Sequence, residues 1–215
     1  MNPSDLAMPA EIEDPRTGLA ALRRFARIKP PGKTGEKCEL CAIRLPAEHH
    51  HLIDLRNRRL VCCCQPCGLL FSSRNSAVYR RVPLEVRSLP EFRLSDAQWA
   101  NLLIPINLAF FFKSAEKMVA EYPSPAGPIE SLLGLEAWEA IVEENPPLRD
   151  LEPEVEALLV NRLSGKHLYY LIPIDEGYRL SGLIRLHWRG LSGGSEVWEE
   201  VGRYFERLKE KSCSI

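Results

Sequence analysis

The stretch CELCAIRLPAEHHHLIDLRNRRLVCCCQPCGLLF, residues 38–71, contains six of the seven cysteines of the chain and three of its five histidines. Two cysteine pairs within it have the CxxC spacing, Cys38 with Cys41 and Cys64 with Cys67. A CxxC turn lets two thiolates converge on one ion, and two such turns supply the four sulfur ligands that tetrahedral zinc prefers. We therefore predict a zinc site formed by these four cysteines.

The ligand set stays open at this stage, because the segment offers more donor groups than one ion needs. Cys62 and Cys63 stand directly before Cys64, although Cys62 is spaced less favourably from Cys67. The histidines His49–His51 form a polar strand edge or hydrogen-bond to a zinc-bound thiolate, or one of them replaces a cysteine as a ligand. Four cysteines also hold rubredoxin-type iron or an Fe–S cluster, so iron is the alternative cofactor. The long, charged loop between the two pairs favours zinc.

The segment also indicates its own local structure. LRNRRLVC, before the second cysteine pair, is typical of a strand, and CGLLF after it is typical of a short helix. A cysteine turn followed by a hairpin and a helix resembles a treble-clef zinc finger. We expect this zinc-binding module to span residues 37–81, which we call the cysteine module.

The order of cysteine pair, histidines and cysteine pair further resembles the HNH-type ββα-metal nucleases. In that family the paired turns hold structural zinc, and a histidine of the first strand acts as general base. His50 and His51 with Asp54 match the first half of that pattern. The second half is missing, because Gly68 stands where the family has Asn and no histidine follows in the expected helix. A metal-assisted hydrolase needs an open metal position and a base, so we predict a non-enzymatic protein and keep a nuclease or nucleic-acid-binding protein as an alternative.

The chain as a whole has the composition of a soluble globular protein, with 45% hydrophobic and 27% charged residues over 215 positions. Its start lacks a basic stretch followed by an apolar one, so no secretory signal is visible. The longest apolar run, LLIPINLAFFF, contains Pro105 and Asn107 and is too short to span a bilayer. We expect a cytoplasmic protein with reduced thiols and no membrane span.

We predict an α+β fold, in which a treble-clef-like module precedes a mixed α+β domain with an antiparallel hairpin and a C-terminal amphipathic helix. The expected divisions are an arm with one short helix at 1–36, the module at 37–81 and the α+β domain at 82–215. The predicted elements of the last part are a helix capped by Ser95 and Gln98, a buried strand in INLAFFFK, helices near 129–144 and 153–163, a hairpin of strands around Asp175–Gly177, and a last helix capped by Ser195.

Basic residues outnumber acidic ones before residue 82, and the reverse holds after it. This arrangement predicts either a solvated face or a docking patch for an acidic surface or a phosphate backbone. The basic excess lies largely at six arginines in and after the cysteine-rich segment: Arg56, Arg58, Arg59, Arg74, Arg80 and Arg81.

Several stretches beyond the module are distinctive, namely IPINLAFFFKS, YPSPAGPIESLL, LEPEVEALLVNR, YYLIPIDEGYRLSGLIRLHWRGLSGG and VWEEVGRYFERL. Together with the two cysteine pairs they resemble an uncharacterised bacterial family associated with gene clusters of uptake [NiFe]-hydrogenases. The resemblance implies an accessory protein for assembly, maturation or electron-transfer support. Its implied partner is a hydrogenase subunit or maturation factor. The alternative function for the chain itself is that of an iron or Fe–S electron-transfer accessory.

Overall fold

The computed structural model of the protein describes residues 35–72, 78–114, 117–132, 135–190 and 193–214. The arm and short helix predicted for residues 1–36 fall on residues that lie almost entirely outside this part of the chain. Contacts group Glu36–Ile215 into one compact unit, and the described residues of this unit form two sheets.

The first sheet belongs to the cysteine module and has three antiparallel strands in the order β2-β1-β3. Its strands are β1 (His50–Asp54), β2 (Arg59–Cys63) and β3 (Tyr79–Arg81). Helix α1 (Gln65–Phe71) follows β2 directly. Cysteine turn, antiparallel strands and helix thus occur in the predicted treble-clef-like order.

The second sheet has seven strands in the order β10-β4-β9-β8-β5-β6-β7, and only the β10–β4 pair among its described strands is parallel. Its strands are β4 (Val86–Ser88), β5 (Leu108–Ser114), β6 (Lys117–Ser124), β7 (Gly127–Leu132), β8 (Glu156–Asn161), β9 (Leu168–Pro173) and β10 (Ser212–Ser214). The helices that accompany it are α2 (Asp96–Asn101), α3 (Leu135–Glu144), α4 (Ile174–His187) and α5 (Gly194–Lys211). The predicted α+β class is confirmed.

Strand β5 lies inside the sheet and is covered on both faces. Phe110 and Phe112 point into a core shared with α4 and α5, whereas Phe111 points into a second core with Trp99 of α2 and Trp138 of α3. Alternate residues of a strand face opposite sides of a sheet, so burial on both sides explains the unbroken apolar run. The buried strand predicted in INLAFFFK is confirmed, as is the capping box of Ser95 at the start of α2.

The predicted hairpin around Asp175–Gly177 is wrong in its second half. Residues 174–187 form helix α4, and the hairpin is made instead by β8 and β9. The buried residues Ile174, Gly177, Leu180 and Ile184 recur with helical spacing. Two acidic residues in the first turn, one of them Asp175, also favour a helix N-terminus.

Three other predictions need correction. The helix expected near 153–163 is strand β8, whose residues are buried throughout, so that no polar alternation marks it as a strand. The helix expected near 129–144 begins only at Leu135, because the preceding residues form β7. Helix α5 begins at Gly194, and Gly193, with a φ of 87°, occupies the capping position expected for Ser195. The predicted C-terminal amphipathic helix itself is confirmed.

Arg58, in the turn between β1 and β2, connects the cysteine module to the seven-stranded sheet. Its guanidinium lies 3.1 Å from Glu121 Oε1 and 3.0 Å from Glu130 Oε2, and its Cζ is 4.7 Å from the centre of the Phe112 ring. Ile53 of β1 also belongs to the core shared with α4 and α5. The module and the large sheet are therefore joined by both apolar and ionic contacts.

Glu121, at this junction, makes the free energy of unfolding depend on pH. Burial raises the pKa of Glu121, although Arg58 opposes the shift, and its Oε2 atom is buried without a hydrogen-bond partner among the residues that the structure describes. The folded state therefore keeps a proton to higher pH than the unfolded chain, and the free energy of unfolding should fall as pH rises through the interval just above the ordinary glutamate pKa of about 4.3.

We expect Glu121→Gln to remove this fall. Urea unfolding of the two proteins between pH 4.5 and pH 8 measures it, with the exposed Glu139→Gln as the control variant that keeps the wild-type slope. Parallel curves for wild type and Glu121→Gln would contradict the assignment.

Candidate metal centre

The first cysteine pair lies in a tight turn at the start of the described chain. The Cys38 N–H donates to the Ile43 carbonyl and the Ala42 N–H donates to the Cys38 carbonyl, both at 2.8 Å. Ala42 has a φ of 63°, which closes the turn. Glu39 ties this turn to β2, since its N–H donates to the Cys62 carbonyl and its carboxylate accepts from the Cys62 N–H, both at 2.9 Å.

The second pair lies at the start of α1. Cys64 is the residue that precedes the helix, and Cys67 is buried within its first turns. Gly68 packs closely against β2, because an added Cβ would lie 3.3 Å from the Cys63 Sγ atom. Close helix–strand packing therefore favours glycine at the position where the nuclease family has asparagine.

The structure brings the four predicted cysteines together. The Sγ atoms of Cys38, Cys41, Cys64 and Cys67 all lie within 4.8 Å of one another, and those of Cys41 and Cys64 are 3.7 Å apart. Tetrahedral zinc with Zn–S bonds of about 2.3 Å requires sulfur–sulfur separations of about 3.8 Å. All four cysteines are free rather than disulfide-bonded, so the group fits a metal ion such as zinc.

The electrostatics of the four thiols favour a cation. Burial opposes ionisation of Cys38, but hydrogen bonds from backbone amides, that of Cys64 foremost, lower the pKa of this thiol to about 6. At Cys67, burial followed by hydrogen bonding to the neighbouring cysteines raises the pKa. The Cys38 thiolate therefore forms readily, and its charge then opposes ionisation of Cys67. A divalent cation at their centre removes that opposition.

The three consecutive cysteines of β2 and its end have three different surroundings. Cys63 faces the small core of the module and is fully buried, and burial raises the pKa of its thiol to about 11. Cys62 lies on the opposite face of the strand, where it forms a separate group with His49 and His51. Neither Cys62 nor Cys63 joins the group of four.

The residues of the nuclease-like pattern are not gathered into one site. His51 Nδ1 lies 2.8 Å from Asp175 Oδ2, while His50 Nδ1 lies 3.3 Å from the Arg81 guanidinium. Asp54 is held by Arg56 through contacts of 2.6 and 2.9 Å, and this pairing lowers the pKa of Asp54 to about 2. The aspartate is therefore a structural ion-pair partner rather than a metal ligand beside the histidines.

Sequence reasoning missed the role of Asp175, which it treated as a turn residue. The grouping of Cys62 with the histidines could have been found from the strand register, because His51 lies directly opposite Cys62 in the β1–β2 pair. His49, His51 and Asp175 line a cleft of about 1100 Å³. Of the two remaining histidines, His167 contacts Tyr169 and His187 contacts Glu196.

The comparison with protein families covers most of the chain. The model of DUF5947, a family of unknown function, matches residues 37–212. The chain belongs to this family. The DUF5947 match runs from the residue before Cys38 to the first residue of β10, so it includes both cysteine pairs and both sheets. No curated protein and no solved structure matches this member of DUF5947.

The helices that the structure describes were also compared with the requirements for a membrane span. Within the described ranges, none of them is both long enough and apolar enough to cross a bilayer.

Proposed function

We propose that this DUF5947 protein is a non-enzymatic zinc protein whose cysteine module binds a protein partner. The observation that carries the proposal is the convergence of four Sγ atoms within 4.8 Å. Four thiolates fill the coordination shell of tetrahedral zinc and leave no position for a substrate or a reactive water, as in structural zinc sites. Zinc then replaces hydrophobic core that a segment of this size lacks.

The identity of the metal is tested by elemental analysis and an absorption spectrum of the protein purified without oxygen. We expect zinc at one or more ions per chain and a colourless sample. Iron in the preparation, with the visible absorption of ferric thiolate or of an Fe–S cluster, would instead support the electron-transfer alternative.

An exposed apolar surface on α1 supports a docking role. Leu69, Leu70 and Phe71 are consecutive, and 59%, 75% and 42% of their respective surfaces are exposed. Ile43, next to the first cysteine turn, is also exposed. Large exposed apolar side chains gathered on one element are typical of protein interfaces, and here the metal-bound Cys67 would hold that element in place.

The basic patch expected from the sequence supports a nucleic-acid partner less well. Arg56, Arg58 and Arg59 each pair with a carboxylate of the chain, at distances from 2.6 to 3.1 Å. Paired arginines contribute little net charge for a phosphate backbone. We therefore infer a protein partner, which the sequence resemblance proposes to be a cytoplasmic [NiFe]-hydrogenase subunit or maturation factor.

The docking proposal predicts that Leu70→Glu strongly lowers partner recovery. Tagged full-length chain is isolated from its native host and scored for a hydrogenase subunit or maturation factor. Loss of one buried leucine costs about 1.5–3 kcal/mol, so we expect recovery to fall about tenfold or more. Leu103→Glu is the matched control, because Leu103 is 84% exposed but lies outside the module.

Both variants should retain their zinc. Equal recovery with wild type and Leu70→Glu would remove α1 as the docking surface, and recovery of no such protein by the wild type would remove the hydrogenase link.

A further inference from the structure

A second group of metal-ligand side chains lies on the opposite face of β2 from Cys63. One donor atom from each of His49, His51 and Cys62 lies within 4.8 Å of the other two. His51 and Cys62 are direct partners in the β1–β2 register, and His49 immediately precedes β1. The rings of the two histidines are 4.7 Å apart.

Both histidines are held in the same tautomer by their surroundings. His49 Nδ1 lies 3.0 Å from the Pro46 carbonyl, and His51 Nδ1 lies 2.8 Å from Asp175 Oδ2. A carbonyl and a carboxylate only accept hydrogen bonds, so each Nδ1 carries a hydrogen, and in the neutral ring each Nε2 then keeps its lone pair for a metal ion. Metal-binding histidines are oriented in this way by a carbonyl or carboxylate behind the ring.

His49 is the second, independent indication of a ligand. Its side chain is only 5% exposed, and its Nε2 atom is buried without a hydrogen-bond partner among the described residues. The Glu36 carboxylate, at 3.5 Å, lacks hydrogen-bond geometry toward it. A buried nitrogen left without a partner costs about 1–3 kcal/mol, which a bound cation would offset.

We propose that His49, His51 and Cys62 form a second metal site, separate from the four-cysteine centre, for a late first-row divalent ion such as zinc. Two imidazole nitrogens and one thiolate suit that class of ion. Tetrahedral coordination places two nitrogens and one sulfur about 3.3–3.6 Å apart. The three donor atoms already lie within 4.8 Å of one another, so binding the ion requires only a small contraction.

The proposed site differs in kind from the four-cysteine centre. Three protein ligands leave one coordination position free, which is the arrangement of zinc sites that take a water or a substrate. Both histidines line the cleft of about 1100 Å³, and we expect the free position to face it. The inference goes beyond the proposed docking function and does not depend on it.

The proposal is tested by the zinc content of the full-length chain after reconstitution and removal of loosely held metal. We expect two zinc ions per chain in the wild type, and one in both Cys62→Ala and His51→Gln. Cys213→Ser is the matched control, because Cys213 is exposed and far along the chain from both groups, and it should keep two. One zinc in the wild type, or two in the Cys62→Ala and His51→Gln variants, would overturn the proposal.

Asp175→Asn tests the positioning of His51 separately. We expect the second zinc to bind about 10- to 100-fold more weakly, as measured by competition with a chromophoric chelator, while the first zinc is unaffected. Unchanged affinity for the second zinc would remove Asp175 from the site.

Cobalt substitution adds a spectroscopic signature, because Cys62→Ala should remove the thiolate-to-metal absorption of one sulfur. A variant that retains one zinc has kept the four-cysteine centre, so failure here leaves the proposed function standing.

Discussion

Cys41→Ser is expected to release the metal from the four-cysteine centre and to unfold the cysteine module while the seven-stranded sheet remains folded. Cys41 is exposed, so the substitution leaves no cavity in a core, and its effect is that of metal loss alone. The small core of the module is built largely from the ligands themselves and their neighbours: Cys38, Leu45, Leu52, Val61, Cys63 and Cys67. Zinc binding contributes about 10–16 kcal/mol to the folding of comparable modules.

Amide hydrogen exchange measures this loss segment by segment. Protection in β1, β2 and α1 should disappear in Cys41→Ser and in wild type treated with a chelator, whereas protection in β5 and β8 should persist. Cys213→Ser controls for the loss of a thiol outside the centre and should match the wild type. Unchanged protection in β1 and β2 after complete metal removal would show that the metal does not hold the module.

Phe110→Ala is expected to lower the free energy of unfolding by about 3–5 kcal/mol. Phe110 is fully buried in β5, beside Phe112, and the ring of Tyr178 meets it edge-on at 5.8 Å. Helix α4 approaches it so closely that a Cβ added at Gly177 would lie 2.9 Å from its ring. Chemical denaturation gives the loss directly, and a change below about 1 kcal/mol would contradict the packing described.

The close approach predicts coupling between the two positions. In the wild type, Gly177→Ala gains about 1 kcal/mol of helix propensity but introduces overpacking of about 1–3 kcal/mol, so the variant should be less stable. In the Phe110→Ala background the overpacking disappears, and the same change should stabilise. Gly182→Ala, in the same helix with nothing within 4 Å of an added Cβ, should stabilise in both backgrounds. Additive effects of Phe110→Ala and Gly177→Ala would contradict the coupling.

The parts of the fold that the sequence predicted correctly are those in which local chemistry and tertiary packing agree. The capping box of Ser95 works through neighbouring residues, and the run around Phe110 was apolar enough to require burial. The CxxC spacing likewise carries its geometry within four residues, so the gathering of the four cysteines was predictable.

The errors arose where tertiary contacts override the local pattern. The residues from Tyr178 to Trp188 alternate in a way that is compatible with a strand, but the packing of Gly177 against Phe110 and two acidic residues at the start favour helix α4. Strand β8 is buried on both faces and lacks any alternation that would distinguish it from a buried helix.

The candidate second site was unpredictable for a related reason. Its histidines were visible in the sequence, but the tautomer of His51 depends on Asp175, which lies 124 residues from His51 along the chain. Separation of this size leaves no periodic or spacing signal. Only the pairing of His51 with Cys62 could be predicted from the local sequence, because it follows from the strand register. That register depends on the length of the turn between β1 and β2.

The contacts of Arg58 and His51 with the large sheet and α4 determine how the protein can be divided. A fragment excised at residues 37–81 would carry all four sulfur ligands, yet Arg58 would lose both of its carboxylates and His51 the acceptor behind its ring. Such a fragment could hold a metal ion but not the imidazole arrangement of the intact chain. The cysteine module is thus not an interchangeable cassette, and grafting it onto another scaffold would transfer only part of its chemistry.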